Sequence, residues 1–273
     1  MKSKQNLNFT NVLVDLKDEL WLERQRVAGR ITAQCLSFLE NEVKNLTHKT
    51  PLQLSREADI FIQDNGCTAT FKGHDGFPEA VCISVNKGLV HGIPKDIPFQ
   101  EGDIISFDLG ATYQGAIADS ALTVGYGKIS DQHAKLIDAG KRALARGILA
   151  IKPGKRLGVI GQAVHKSSKG DGFGSIHTYG GHGLKYNQAH AQPFVSNKSD
   201  EHTGIRLQSG MTLAIEPMLV IGSIETKIDE DGWTVNTKDI GCHVEHSIFI
   251  HEDHIEIISF REDETYLKRR NAY

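Results

Sequence analysis

What this chain of 273 residues has little of narrows its chemistry first. It holds four cysteines, at 35, 67, 82 and 242, and no CxxC pair. A disulfide-built secreted scaffold and a cysteine-based zinc site both need more, so four reduced and mostly buried thiols are expected. No run of eighteen apolar residues is present, which argues against a transmembrane helix and membrane partners. No apolar segment follows Met1-Lys-Ser-Lys-Gln-Asn6, so no signal peptide is expected and a cytoplasmic location follows. There is no excess of positive charge. Lys plus Arg is 31 against 34 Asp plus Glu, a formal net charge of −3, so no specific nucleic-acid partner is expected. P-loop, HExxH and nucleophile-elbow patterns are missing as well. What remains is an ordinary globular composition, 39% hydrophobic and 24% charged. Thirteen histidines and 34 carboxylates leave a metal site of nitrogen and oxygen donors open.

The order of elements repeats. Asp18 to Val43 reads as a helix, and Leu52 to Gln63 as a second one after Pro51, stopped by Asn65-Gly66. Val81 to Val85 and Asp103 to Val124 read as strands, the latter as two around a tight turn. Asp131 to Ile151 and Arg156 to Lys166 are helical again, separated by Lys152-Pro-Gly154. Gly170 to Gly183 reads as a glycine-rich loop with short extended pieces. Met211 to Ile221, Trp233 to Thr237 and Cys242 to Ile250 read as strands. Gly102-Asp-Ile-Ile-Ser-Phe-Asp108 and Gly210-Met-Thr-Leu-Ala-Ile-Glu216 each set a carboxylate six residues after a glycine, at the end of an apolar run. Two halves of one plan, each delivering an acid from a strand, point to a pseudo-symmetric site between them. No linker divides them, so one domain over 1–273 is expected, with halves of about 18–127 and 131–260.

Four acids sit in strand-like runs where charge is expensive unless paired or coordinated. If Ser106 to Gly110 pairs with Ile117 to Ala121 around a turn at Tyr113-Gln114, Asp108 stands directly opposite Asp119. Opposed Cβ atoms are ~4.5–5.5 Å apart, so the two charges repel unless a cation lies between them. The alternative is an edge hairpin with acids facing solvent. Glu216 precedes Pro217, and Glu245 leads into Ser-Ile-Phe-Ile250. Either alone could be a solvated strand end. His182 lies between glycines in Tyr179-Gly-Gly-His-Gly183, and His91 in Val90-His-Gly-Ile-Pro94; each alone could be a surface-loop histidine. The tail Lys268-Arg-Arg270 is expected to be solvated.

Taken in order, His91-Gly-Ile-Pro94, Phe107-Asp108, Asp119-Ser120, Gly181-His-Gly183, Ile215-Glu-Pro-Met218, Asp231-Gly-Trp-Thr-Val-Asn-Thr-Lys-Asp239 and Glu245-His246 resemble type I methionine aminopeptidase. The resemblance covers roughly Asp18 to Phe260. It implies an α+β pita-bread fold, a pseudo-twofold antiparallel sheet with helices packed on its outer face. It implies two divalent metal ions (Co, Mn, Fe or Zn), with Asp108 on one, His182 and Glu216 on the other, and Asp119 and Glu245 bridging both. Glu216 would be the proton-transferring base. His91 would contact the scissile amide, and His190 would help hold the carbonyl oxygen. Phe77, Cys82 and Trp233 would line a methionine pocket. The implied activity is removal of the initiator methionine from nascent polypeptide N-termini with a small second residue, by a monomer in transient contact with the ribosome.

Three departures bear on the substrate cleft. The segment His190-Ala-Gln-Pro193 replaces His-Glu-x-Pro, with one extra residue after His182. Lys185-Tyr186 replaces a small residue and its neighbour, and His74 stands where the family carries an aromatic pocket residue. Two other readings follow: a proline-directed peptidase of the same fold, and a metal-free binding paralogue.

Overall fold

The computed structural model describes residues 15–267. Met1 to Asn6 and the Lys268-Arg-Arg270 tail lie outside the described residues.

The first half opens with helices α1 (Glu19–Lys44) and α2 (Pro51–Asp64). Asp18 caps α1 by accepting from the Trp21 N–H, and Thr50 with Gln53 forms a reciprocal capping box on α2, Pro51 sitting in its first turn. Strands β1 (Thr68–Ala69), β2 (Cys82–Val85), β3 (Gly88–Val90), β4 (Ile104–Tyr113) and β5 (Ala116–Gly125) follow. The second half repeats the order: α3 (Asp131–Ala150), α4 (Gly158–Gly170), then β6 (Gly174–Ser175), β7 (Gly180–Lys185), β8 (Gln188–Ser196), β9 (Thr212–Ile215), β10 (Met218–Val220), β11 (Thr226–Ile228), β12 (Val235–Thr237), β13 (Gly241–His243), β14 (Glu245–Ile250) and β15 (Ile255–Ile257). Pro153 is not a helix-opening residue like Pro51; it lies in the loop before α4.

Nine strands form one antiparallel sheet in the order β1-β4-β5-β14-β9-β7-β8, with β2 on β4 and β15 on β14. The halves meet where β5 pairs β14. Each half has its own core. Leu36, Leu39, Leu54 and Ile62 from α1 and α2 close on Ile105, Phe107 and Leu109 of β4. Leu144, Ile148 and Ile160 from α3 and α4 close on Leu213 and Ile215 of β9 and on Ile248 and Ile250 of β14. Fully burying such a side chain contributes ~1.5–3 kcal/mol, so these cores press the helices onto the sheet and leave its other face for the acids. Gly102 and Gly210 open β4 and β9 in the left-handed region (φ 94 and 85°), which favours glycine. Their N–H groups donate to Tyr126 and Ile250, the residues that close the partner strands. The short sequence match is therefore a structural repeat.

Four readings need correction. Met211 to Ile221 and Cys242 to Ile250 are each two strands, broken at Glu216-Pro217 and at Val244. The β4–β5 turn is Gln114-Gly115, both with positive φ (47 and 82°), not Tyr113-Gln114. Such a turn matches the twist of a hairpin, and glycine takes its second position readily. The register moves accordingly: Asp108 faces Ala121, and Asp119 faces Gly110. Strand β8, in a stretch not read as a strand, alternates between exposed and buried residues along Gln188 to Val195. Pro193 masks that pattern, but β8 is the sheet's edge, where a missing N–H breaks no ladder. All four cysteines are buried and unpaired. Among the described residues no helix is long and apolar enough to cross a membrane.

Candidate active site

Because side chains alternate along a strand, Asp108 and Gly110 share a face, and so does Asp119 opposite Gly110. The two acids are thus diagonal neighbours on one face rather than opposed. Gly110 has no side chain, and Thr70 packs into the space that leaves, 2.9 Å from where a Cβ would stand. Glu245 enters at the first residue of β14, facing Ala121. Glu216 follows β9 at the break before Pro217, and His182 comes from β7 rather than from a surface loop. Gly181 lets β7 lie this close: a Cβ there would come 2.1 Å from the Ala214 carbonyl oxygen.

These five side chains are all buried. Ligand atoms of Asp108, Asp119 and Glu245 lie within 4.8 Å of one another, and so do those of His182, Glu216 and Glu245. Glu245 belongs to both groups. Asp119 also reaches the second, with its Oδ2 3.9 Å from His182 Nε2, and Glu216 Oε1 is 3.6 Å from the same nitrogen.

The electrostatics are those of acids held together against their charge. Burial, then the neighbouring Asp119 and Glu216, push Asp108 well above the usual carboxylate range. Burial, then Asp119, Glu216 and Asp108, do the same to Glu245. Asp119 is pushed up to about 6, burial outweighing the His182 imidazole that pulls it down. Glu216 goes the other way. Burial acts to raise it, but His243, His182 and His190 win and hold it below its ordinary value. One oxygen each of Asp108, Asp119 and Glu245 is buried without any hydrogen-bond partner. An unpartnered buried acceptor is destabilising, and a divalent cation satisfies several at once. Two cations joined by a shared carboxylate fit this oxygen-rich set with one imidazole.

A cavity of about 450 Å³ opens above the acids. Part of its lining is apolar. Phe77 packs edge-on against Trp233 with ring centroids 5.3 Å apart, and Phe71, Cys82 and Ile93 complete the cluster. Val90, Tyr179 and Met218 also line the cavity. The wall nearest the acids is made of histidines. His190 lies 4.7 Å from His182 and 6.5 Å from His91, ring centre to ring centre. His91 sits in the left-handed region (φ 56°), a conformation that costs a non-glycine residue ~1–3 kcal/mol and that clusters at functional sites. Burial lowers the His91 imidazole, and burial with the adjacent His182 lowers His190 to about 4. Both rings are therefore neutral near pH 7.

The departures now have places. Between Gly181 and Lys185 the β7–β8 register shifts twice, so the His182-to-His190 stretch is irregular, with more residues on β8 than on β7. Lys185 and Tyr186 are at the hairpin tip outside the cavity, with Tyr186 edge-on to Trp21. His74 lines the cavity, and its ring centre is 5.5 Å from that of His190. Sequence reasoning missed Phe71, which lies in no motif, and did not assign Val90, Tyr179 or Met218, which stand at the ends of the His91, His182 and Glu216 motifs, to the cavity. It also missed His243, which ends β13 two residues before Glu245 opens β14.

A buried carboxylate cluster with one histidine, below a cleft whose lining is partly apolar, defines a metal-dependent peptidase site. The chain belongs to metallopeptidase family M24, which matches residues 23–252. It is 39% identical to a methionine aminopeptidase of Aquifex aeolicus over 87% of this chain and 95% of that protein. It is 36% identical to one of Mycoplasma capricolum over 92% of this chain and 100% of the other. The solved methionine aminopeptidase of Thermotoga maritima superposes with a TM-score of 0.88 at 34% identity, covering 92% of this chain and 100% of that one.

Proposed function

We propose that this cleft removes the N-terminal methionine from nascent polypeptides and peptides whose second residue is small. One observation carries the reading: two ligand groups sharing Glu245 line the same cavity as the Phe77, Cys82 and Trp233 cluster, with Cys82 directly across from Asp108. Asp108 would hold one divalent cation and His182 with Glu216 the other, with Asp119 and Glu245 between them. When bound, such a pair supplies Lewis acidity and an acidified water at neutral pH.

The residues do the rest. Glu216 stays ionised, so it can take the attacking water's proton and return it to the departing amine. His91 and His190 face each other across the acid end as neutral rings, each with an N–H to give. His91 contacts the scissile amide, and His190 steadies the carbonyl oxygen as negative charge builds there. The substrate's free α-amine is drawn to the carboxylates, which limits cleavage to the first peptide bond. The methionine side chain packs against that cluster, where sulfur against a ring adds ~0.3–1.5 kcal/mol. The whole chain works as one domain, as a cytoplasmic monomer that meets chains at the ribosome.

The test is turnover of Met-Ala-Ser, Leu-Ala-Ser and Xaa-Pro peptides by the full chain, before and after chelation and with Mn²⁺ or Co²⁺ restored. Metal-dependent cleavage led by the methionine peptide is expected. Faster cleavage of the leucine or proline peptide, or full activity after complete metal removal, would overturn the assignment. An inert protein with no bound metal would make it a binding paralogue.

A further inference from the structure

The second half of the sheet repeats the pairing of the first. In the first half Gly110 faces Asp119; in the second, Met218 faces His243. Asp108 stands two residues before Gly110, and Glu216 two before Met218. Ala121 stands two residues after Asp119, and Glu245 two after His243. Ala121 and Glu245 face each other where the halves join. The repeat therefore sets His243 where the other half has the bridging acid Asp119.

Its surroundings agree. The His243 side chain is 1% exposed and does not line the cavity, so it meets no substrate. Neither ring nitrogen has a hydrogen-bond partner in line. Nε2 is 3.3 Å from Glu216 Oε2 and 3.9 Å from Glu245 Oε2, and Nδ1 is 4.0 Å from Asp108 Oδ2. The backbone is clamped, with the His243 N–H donating to Thr123 Oγ1 at 3.0 Å and the Thr123 hydroxyl donating to the His243 carbonyl at 2.7 Å. A ring so fixed can serve only the acids around it. Glu216 is divided between two imidazoles: Oε1 faces His182 and Oε2 faces His243.

We infer that His243 is a positioning residue that gives its Nε2–H to Glu216 Oε2, leaving Oε1 aimed at the cation positions beside His182. The inference rests on Glu216 being both ligand and base. A residue without a carboxylate in this place leaves four carboxylates to balance two divalent cations, where a second bridging acid would add a fifth.

Three variants of the full chain test it. His243→Gln keeps an N–H donor of similar reach, His243→Asn has the same chemistry but is too short, and His243→Leu has no donor. Calorimetric titration of the chelated protein with Mn²⁺ is read beside kcat and KM for Met-Ala-Ser. His243→Asn and His243→Leu should weaken one Mn²⁺ equivalent by ~10–100-fold, the usual effect of losing a group that orients a ligand. They should lower kcat with little change in KM, and His243→Gln should recover most of both. Wild-type Mn²⁺ binding and kcat in the Asn and Leu variants, or a Gln variant as impaired as Asn, would overturn the inference. If the Leu variant does not fold, the Gln and Asn pair decides alone. If the wild type cleaves no methionine peptide, the function fails separately, and the order of Mn²⁺ affinities still judges His243.

Discussion

The two halves of the sheet start alike and end differently. In the first, β4 and β5 run unbroken for ten residues each around a two-residue turn. In the second, the equivalent strands break at Glu216-Pro217 and again at Val244, and a long excursion through β11 and β12 joins them. The unbroken hairpin holds Asp108 and Asp119 on one face by strand alternation alone. The broken one turns Glu216 toward His182 and carries Trp233 to the lining of the cavity. The first half offers Asp108 and Asp119 together with Phe77 and Cys82, and the second adds His182, Glu216, Glu245 and Trp233.

Removing an acid of the rigid half should have the largest effect. Asp119 reaches both ligand groups, so Asp119→Ala should drop activity to background and cut metal stoichiometry below two, read by elemental analysis. Two metals and full turnover in that variant would end its bridging role. In the broken half, Glu216→Gln should lower kcat by ~10²–10⁴-fold with a much smaller change in KM. Steady-state kinetics check this, and retention of most of kcat would take the proton away from Glu216.

The third comparison concerns what stands behind each half. Glu264, behind β14, is held down to about 2: burial would raise it, but the His246 and Arg261 charges and hydrogen bonds win. A depressed carboxylate stabilises above its unfolded value of 4.5 and loses that contribution as pH falls toward about 2. The full effect is roughly 3 kcal/mol. Thermal melts between these limits should therefore show the wild type losing stability on acidification more steeply than Glu264→Gln. Parallel curves would mean that Glu264 is not depressed.

Smaller effects belong to the cavity wall. Trp233→Ala should narrow the preference for Met-Ala-Ser over Leu-Ala-Ser by ~10-fold, since pocket contacts discriminate by ~1–3 kcal/mol. Unchanged kcat/KM ratios would place the side chain elsewhere. His74 touches His190 rather than the aromatic pair, so His74→Tyr should move KM for Met-Ala-Ser by no more than about twofold, the scale of a change away from core contacts. A larger shift that follows pH would show the imidazole pointing into the pocket.

Much of this was visible in the chain itself. The helices read from Asp18, from Pro51 and from Asp131 are there, and the structure shows their starts fixed by side-chain caps from Asp18, Thr50 and Ser130, which is local chemistry. Asp108, Asp119, Glu216 and Glu245 stood out because charge inside an apolar strand needs a reason, and order and spacing then carried the resemblance. The tertiary structure decided what depends on register. A turn misplaced by one residue moved Asp119 from opposite Asp108 to opposite Gly110, because each residue of slip changes every cross-strand partner. Strand β8 was hidden since Pro193 is tolerated only at an edge, and edges are assigned by the whole sheet. The place of His243 beneath Glu216 was beyond the sequence for the same reason. Its partners lie on other strands, and only the pairing of two halves brings them within reach.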